Sequence, residues 1–163
     1  MRALLNSFKY AARGIFYCLK NERNMRIHSV VSFYILIFIP FFTLSRGEKA
    51  LLLLTISAVL AAEVMNTSIE TLVNRLLPSY DQLARIAKDT AAGAVFLSAF
   101  FSTLIGFTLL WQPDAFRAIF LFFFSHPILL AALFISIMLA VCFIFLGFSG
   151  MKKKVVQHWN KKK

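Results

Sequence analysis

The stretch Ala62-Glu63-Val64-Met65-Asn66-Thr67-Ser68-Ile69-Glu70-Thr71 sets two carboxylates inside an otherwise apolar run. At helical pitch, Glu63, Asn66, Thr67, Glu70 and Asn74 fall within an arc of roughly 100°, so one face is polar over three turns. In a bilayer each ionised carboxylate at depth costs at least ~2–3 kcal/mol, which is tolerated where a partner, a metal or function offsets it. The two glutamates stand about 10 Å apart along the axis, far enough for separate tasks. The deeper one suits a base acting on a lipid headgroup, and the shallower one suits holding a cation. A polar seam hydrogen-bonding neighbouring helices explains Asn66 and Thr67 equally well, but two glutamates on the same face weigh against it.

Two further clusters have the right chemistry. Ala87-Lys88-Asp89-Thr90 opens a second apolar run. A lysine at the membrane interface can neutralise phosphate oxygens, and an aspartate can orient it. Read alone, the pair also suits a snorkelling lysine beside a helix-start aspartate. Near the N-terminus, Asn21-Glu22-Arg23-Asn24-Met25-Arg26-Ile27-His28 supplies Glu22, which could join Glu70 in binding magnesium because hard cations prefer oxygen ligands. By spacing alone Glu22 is an ion-pair partner of Arg26 at i,i+4.

These residues need helices in lipid to hold them. The 163-residue chain is 60% hydrophobic with 19 phenylalanines, against roughly 45–50% apolar in a soluble average. The net charge of +11 fits nucleic acid or an anionic membrane surface, and the apolar content decides for the membrane. Two cysteines, Cys18 and Cys142, are too few for a disulfide framework or a metal site. A span needs about 20 apolar residues. Four candidates run from Ser29 to Leu44 (with Pro40 near its end), Ala50 to Leu72, Thr90 to Trp111, and Ile128 to Phe148. Ala118 to Phe124 reads as an interfacial stretch, or as an early turn of the last span broken at Pro127. Leu4, Leu5, Phe8, Ala12, Ile15, Phe16 and Leu19 recur at helical spacing with Lys9, Arg13 and Lys20 between them, which predicts an amphipathic helix on the membrane surface. Four spans put both ends of the chain on one side. That side carries fifteen of the eighteen Lys and Arg residues, and the positive-inside rule makes it cytoplasmic. The expected class is an all-α, multi-pass integral membrane protein of the cell membrane, with no nucleic-acid partner.

Taken together, these segments resemble the small prokaryotic diacylglycerol kinase and undecaprenol kinase family. Glu63-Val64-Met65-Asn66-Thr67-Ser68-Ile69-Glu70 is similar to the family's E-x-x-N-[ST]-[AS]-I-E signature. Leu83-Ala84-Arg85-Ile86-Ala87-Lys88-Asp89-Thr90-Ala91-Ala92-Gly93-Ala94-Val95 is similar to its L-A-x-x-A-K-D-x-A-A-G-A-V block. Ser7 to Ile15 and Glu22 to His28 resemble its N-terminal segments. The resemblance covers roughly residues 5 to 112, in order and spacing. It implies a kinase core over 1–112 made of a surface helix and three membrane helices. Residues 113–163 then add a fourth C-terminal transmembrane helix and a lysine-rich cytoplasmic tail.

The resemblance also implies a homotrimer with composite active sites between subunits at the cytoplasmic interface. There the γ-phosphoryl group of ATP passes to a lipid hydroxyl with Mg2+ present. By position, Glu63 would be the catalytic base and Asn66 would shape its site. Glu22 and Glu70 would be the magnesium ligands. Tyr10, Glu22, Glu70, Ser79, Tyr80, Asp81, Lys88 and Asp89 would contact ATP, and Glu63, Arg13 and Asn24 the lipid. Three departures stand out. Asn74 sits where the family usually has aspartate, the family's early arginine falls on Ala3 with Arg2 beside it, and the segment after Gln112 lies outside the minimal family. The Glu22–His28 segment looks more like the undecaprenol kinase branch of the family, whereas Ser79-Tyr80 looks more like the diacylglycerol kinase branch; the resemblance thus leans to undecaprenol as acceptor. Two other readings remain: a degenerate lipid-binding or accessory protein, motivated by Asn74 and the extra span, and an ion pathway built on the intramembrane carboxylates.

Overall fold

In the computed structural model, the backbone is described for residues 2–76 and 81–160 and the side chains for residues 4–76 and 81–148. Every regular element among them is helical. They are α1 (Arg2–Asn21), α2 (Arg23–Phe38), α3 (Arg46–Leu76), α4 (Gln82–Leu110), α5 (Pro113–Ser125) and α6 (Pro127–Asn160), with a 3₁₀ turn at Ile39–Phe41. Four of the helical stretches are long and apolar enough to cross a membrane: Arg23–Phe41, Arg46–Leu76, Gln82–Leu110 and Pro127–Phe148. α1 is the expected amphipathic helix, with its apolar and basic residues on opposite sides.

The boundaries follow local chemistry. Pro40 lies in the 3₁₀ turn that closes α2. Ser45 and Glu48 open α3 with a reciprocal cap: the Glu48 N–H donates to Ser45 Oγ at 3.2 Å and the Ser45 N–H to Glu48 Oε2 at 2.7 Å. Two first-turn amide donors that the helix cannot pair are thereby satisfied. Asp81 caps α4, its Oδ1 accepting from the Ala84 N–H at 2.7 Å. Pro113 and Pro127 each stand at the first position of a helix, where proline's missing N–H costs nothing. The stretch 118–124 therefore belongs to a separate helix, α5, and not to an early turn of α6. The first span begins at Arg23, six residues before the Ser29 expected from hydropathy, because helical pairing runs through the polar Arg23–His28 segment. α3 likewise runs to 31 residues, longer than its apolar run.

The chain divides into two compact units, residues 35–113 and residues 1–34 with 114–163. In the first, α3 and α4 pack along each other. The buried residues of α3 are Leu52, Val59, Glu63, Asn66 and Thr67, and those of α4 are Ala84, Ala91 and Val95. In both sets the residues recur at spacings of seven, four or three, with Asn66 and Thr67 three and four residues after Glu63, which places each set on a single stripe. The Ser102 hydroxyl donates to the Thr55 carbonyl across the pair at 3.2 Å. At the far end the Gln112 amide brackets the Thr43 backbone, accepting from its N–H at 3.0 Å and donating to its carbonyl at 3.3 Å.

In the second unit α6 packs on α1 and α2. Phe16 and Phe148 meet with ring centroids 5.2 Å apart. The Tyr34 hydroxyl and Ser136 Oγ are hydrogen-bonded at 3.0 Å. α6 is interrupted at Gly147, whose φ of 58° and ψ of −174° are non-helical.

Candidate functional site

The polar face of α3 lies on the stripe that the helix buries. Measured from Leu52 at helical pitch, Thr55, Val59, Glu63, Asn66, Thr67, Glu70 and Asn74 all lie within an arc of about 120°. Burial falls along this row toward the α3 C-terminus. Glu63 is 1% exposed and Asn66 9% exposed, Glu70 is half-buried, and Asn74 is exposed. Burying a carboxylate this deeply in an otherwise apolar helix is costly. The Thr67 hydroxyl donates back to the Glu63 carbonyl at 2.9 Å, so Thr67 is occupied by its own helix. Asn66 Oδ1 is buried with no hydrogen-bond partner among the described residues. A buried amide oxygen in that state is an acceptor poised for a ligand's or water's donor.

On α4, Lys88 Nζ donates to Asn74 Oδ1 at 3.1 Å. This bond ties the interfacial lysine to the polar row of α3. It also shows that the asparagine at the position where aspartate was expected still serves the lysine through its amide oxygen. Asp89, one residue on, points elsewhere: its Oδ2 lies 3.6 Å from Arg85 Nε, in an exposed i,i+4 pair. Such a pair contributes about 0–1 kcal/mol. Asp81 is half-buried as the α4 cap.

The other predicted site residues belong to the second unit. Tyr10 and Arg13 are neighbours on the exposed face of α1, the Arg13 guanidinium carbon lying 5.8 Å from the Tyr10 ring centre. Glu22 is the one non-helical residue between α1 and α2, and its N–H donates to the Cys18 carbonyl at 2.8 Å. Asn24 is exposed in the first turn of α2. Ser79 and Tyr80 lie outside the described residues. Among those described, no three His, Cys, Asp or Glu side chains gather into a metal-binding cluster.

Two features escaped the sequence reading. Arg26, read from spacing as a surface ion-pair partner of Glu22, is 7% exposed. Its guanidinium donates to the carbonyls of Leu19, Lys20 and Ile144. Gly147, near the end of the last span, sits directly against it. A glycine following an apolar run at a helix end is the only sequence signal that marks the position.

The sequence profile of the family described as prokaryotic diacylglycerol kinase matches residues 9–110. A diacylglycerol kinase of Synechocystis is 39% identical over 111 residues, covering 68% of this chain and 63% of the relative's length. An undecaprenol kinase of Bacillus subtilis is 35% identical over 106 residues, covering 65% of this chain and 86% of the relative. A diacylglycerol kinase of Haemophilus influenzae is 33% identical over 96 residues, 58% of this chain and 80% of that protein. The span matched by the family profile includes the α3 row and the start of α4.

Proposed function

This chain belongs to the prokaryotic diacylglycerol kinase family, a family of membrane lipid kinases, and we propose that it transfers the γ-phosphoryl group of ATP to the hydroxyl of a membrane lipid alcohol, with undecaprenol the favoured acceptor and diacylglycerol the other. The observation that carries this reading is the burial of Glu63 beside Asn66 on α3. A glutamate buried in a spanning helix, one turn from an amide oxygen awaiting a donor, fits a site that receives a hydroxyl.

In the proposed reaction the Glu63 carboxylate takes the hydroxyl proton as the lipid oxygen attacks the γ-phosphorus, and ADP leaves with the electrons of the broken P–O bond. Asn66 positions the hydroxyl. The Lys88 ammonium, steadied by Asn74, neutralises phosphate oxygens. Tyr10, Ser79, Tyr80, Asp81 and Asp89 complete the nucleotide contacts, and Arg13 and Asn24 the lipid contacts. Phosphoryl transfer asks for positioning and charge neutralisation, with little covalent work from the protein. Glu22 and Glu70 are hard oxygen donors of the kind magnesium accepts, one or two carboxylates alongside substrate phosphates, so the residues fit that ion. When bound with ATP, magnesium would offset charge on the phosphates.

The remaining features of the reading are a homotrimer with shared active sites and cytoplasmic termini, the latter supported by the charge asymmetry. Residues 1–112 form the kinase core, and residues 113–163 are an addition to it. Asn74 in place of the usual aspartate is the feature that favours the other reading, a lipid-binding protein without turnover. Its bond to Lys88 weakens that case, because the contact survives the loss of charge. The test is transfer of label from ATP to lipid by the purified protein, with undecaprenol and diacylglycerol in matched mixed micelles. Label in undecaprenol, exceeding that in diacylglycerol and lost in Glu63→Gln, is the expected outcome. A folded protein that labels neither lipid refutes the kinase reading.

A further inference from the structure

α6 lies outside residues 9–110, the part matched by the family, yet among its contacts with α1 and α2 is a buried charge, Arg26. Arg26 Nε donates to the Ile144 carbonyl at 3.1 Å, and Nη1 donates to the carbonyls of Leu19 at 3.4 Å and Lys20 at 3.2 Å. Leu19 and Lys20 are in the last turn of α1, where carbonyls have no helical partner. Ile144 is three residues before the Gly147 interruption, which frees carbonyls in the same way. One guanidinium therefore caps two helix C-termini at once, and the partial negative charge of both ends favours a cation there. Gly147 makes this approach possible. A Cβ at that position would lie 3.3 Å from Arg26 Nη1 and 3.4 Å from Cζ, and its backbone conformation is one that essentially only glycine adopts. The guanidinium is held by bonds on two sides, so it cannot swing away without breaking them. Between the residues it clamps stands Glu22, at the break between α1 and α2, with Asn24 two residues further on.

We propose that Arg26 and Gly147 are positioning residues that latch α6 to the α1–α2 junction, so that the added C-terminal helix sets the placement of Glu22 for magnesium-bound ATP. This rests on the lipid-kinase reading, in which Glu22 is a metal ligand. The role of α6 is then to organise the kinase site as well as to anchor the chain. Partners that orient a metal ligand are commonly worth about 10- to 100-fold in metal affinity or activity.

The experiment uses the full-length chain and three variants, Gly147→Ala, Arg26→Lys and Ser136→Ala. Ser136→Ala removes the Tyr34–Ser136 hydrogen bond, another α2–α6 contact, and leaves the latch intact. Two quantities carry the test, amide hydrogen exchange over residues 18–26 and the magnesium dependence of binding of a non-hydrolysable ATP analogue; the lipid KM from the phosphorylation assay is a control. Gly147→Ala should speed exchange at Glu22 and Arg26. It should also raise the magnesium concentration for half-maximal nucleotide binding by about tenfold, with the lipid KM within about twofold of wild type. Arg26→Lys keeps the charge and loses the fork, so it should move both readouts in the same direction even if Gly147→Ala fails to fold. Ser136→Ala should leave both at wild-type values. Wild-type magnesium dependence in Gly147→Ala or Arg26→Lys, whatever the exchange data show, overturns the latch as a positioning device. An equal effect in Ser136→Ala does so too, because it would reduce the latch to general α2–α6 packing. A wild-type chain that shows protected amides but binds no magnesium-nucleotide refutes the kinase reading, and the positioning role with it.

Discussion

Replacing Asn74 by aspartate changes the charge on one side chain while keeping its shape, and the Lys88 bond allows the effect to be worked out. Opposite unit charges at the observed 3.1 Å attract by about 1.3 kcal/mol in water and about 5 kcal/mol at an effective dielectric of 20. Asn74 is exposed and Lys88 half-buried, so the aqueous limit governs and side-chain ordering offsets part of it. The net gain is about 0.5–1 kcal/mol of stability. Exposed pairs are screened by salt, so the gain should be present at 50 mM NaCl and vanish near 1 M. Asn74→Ala does the opposite: it deletes the acceptor, leaving the ammonium to water. That costs about 1 kcal/mol of positioning, which should raise the KM for ATP roughly fivefold with a smaller change in kcat. The assays are thermal unfolding in detergent at the two salt concentrations and steady-state lipid phosphorylation. An Asn74→Asp variant that is destabilised at low salt, or an Asn74→Ala variant with an unchanged KM for ATP, would refute the claim that Asn74 steadies Lys88.

Glu63→Gln should lower kcat by about 10²–10⁴-fold, the usual contribution of a positioned base, while the protein unfolds within a few degrees of wild type; retained turnover in the phosphorylation assay would remove Glu63 from the chemistry. Ser45→Ala breaks the reciprocal cap at the start of α3 and should cost about 0.5–2 kcal/mol in unfolding measurements without altering either substrate's KM. Ser102→Ala deletes the hydroxyl that bridges α4 to the Thr55 carbonyl; at about 0.6 kcal/mol for such a bond in lipid, it should shift the unfolding midpoint slightly and leave catalysis untouched.

The polar row on α3 was legible in the sequence because it depends only on helical pitch, and pitch survives whatever the helix packs against. The class of fold was legible for a related reason, since runs of apolar residues of spanning length have few alternative uses. The Lys88–Asn74 bond was not legible. It depends on the register between α3 and α4, which no spacing within either helix encodes. The burial of Arg26 was not legible either: i,i+4 spacing suggests a surface residue beside Glu22, whereas the fold brings up the Ile144 carbonyl from over a hundred residues away, along with those of Leu19 and Lys20. The ends of the spans were set by capping and proline chemistry at Ser45, Asp81, Pro113 and Pro127, and these override the edges of the hydropathy signal. α5 became a separate helix for that reason.

The length of α3 has a consequence for which alcohols can react. Its 31 residues extend about 46 Å, half as long again as a hydrocarbon core of about 30 Å. Counted from Arg46, Glu63 comes about 25 Å along the axis and Asn74 about 42 Å along; with Arg46 at one edge of the core, the proposed reading puts Glu63 just inside the opposite edge and Asn74 beyond it. The helix thus works as a depth gauge. With Glu63 as the proposed base, an acceptor would present its hydroxyl at the seam between acyl chains and headgroups, while the nucleotide would approach from the aqueous end. A water-soluble polyol does not partition to that depth, and a fully buried alcohol would miss the phosphate. Selection among alcohols would then begin with where the membrane itself holds each one, before any side chain touches it.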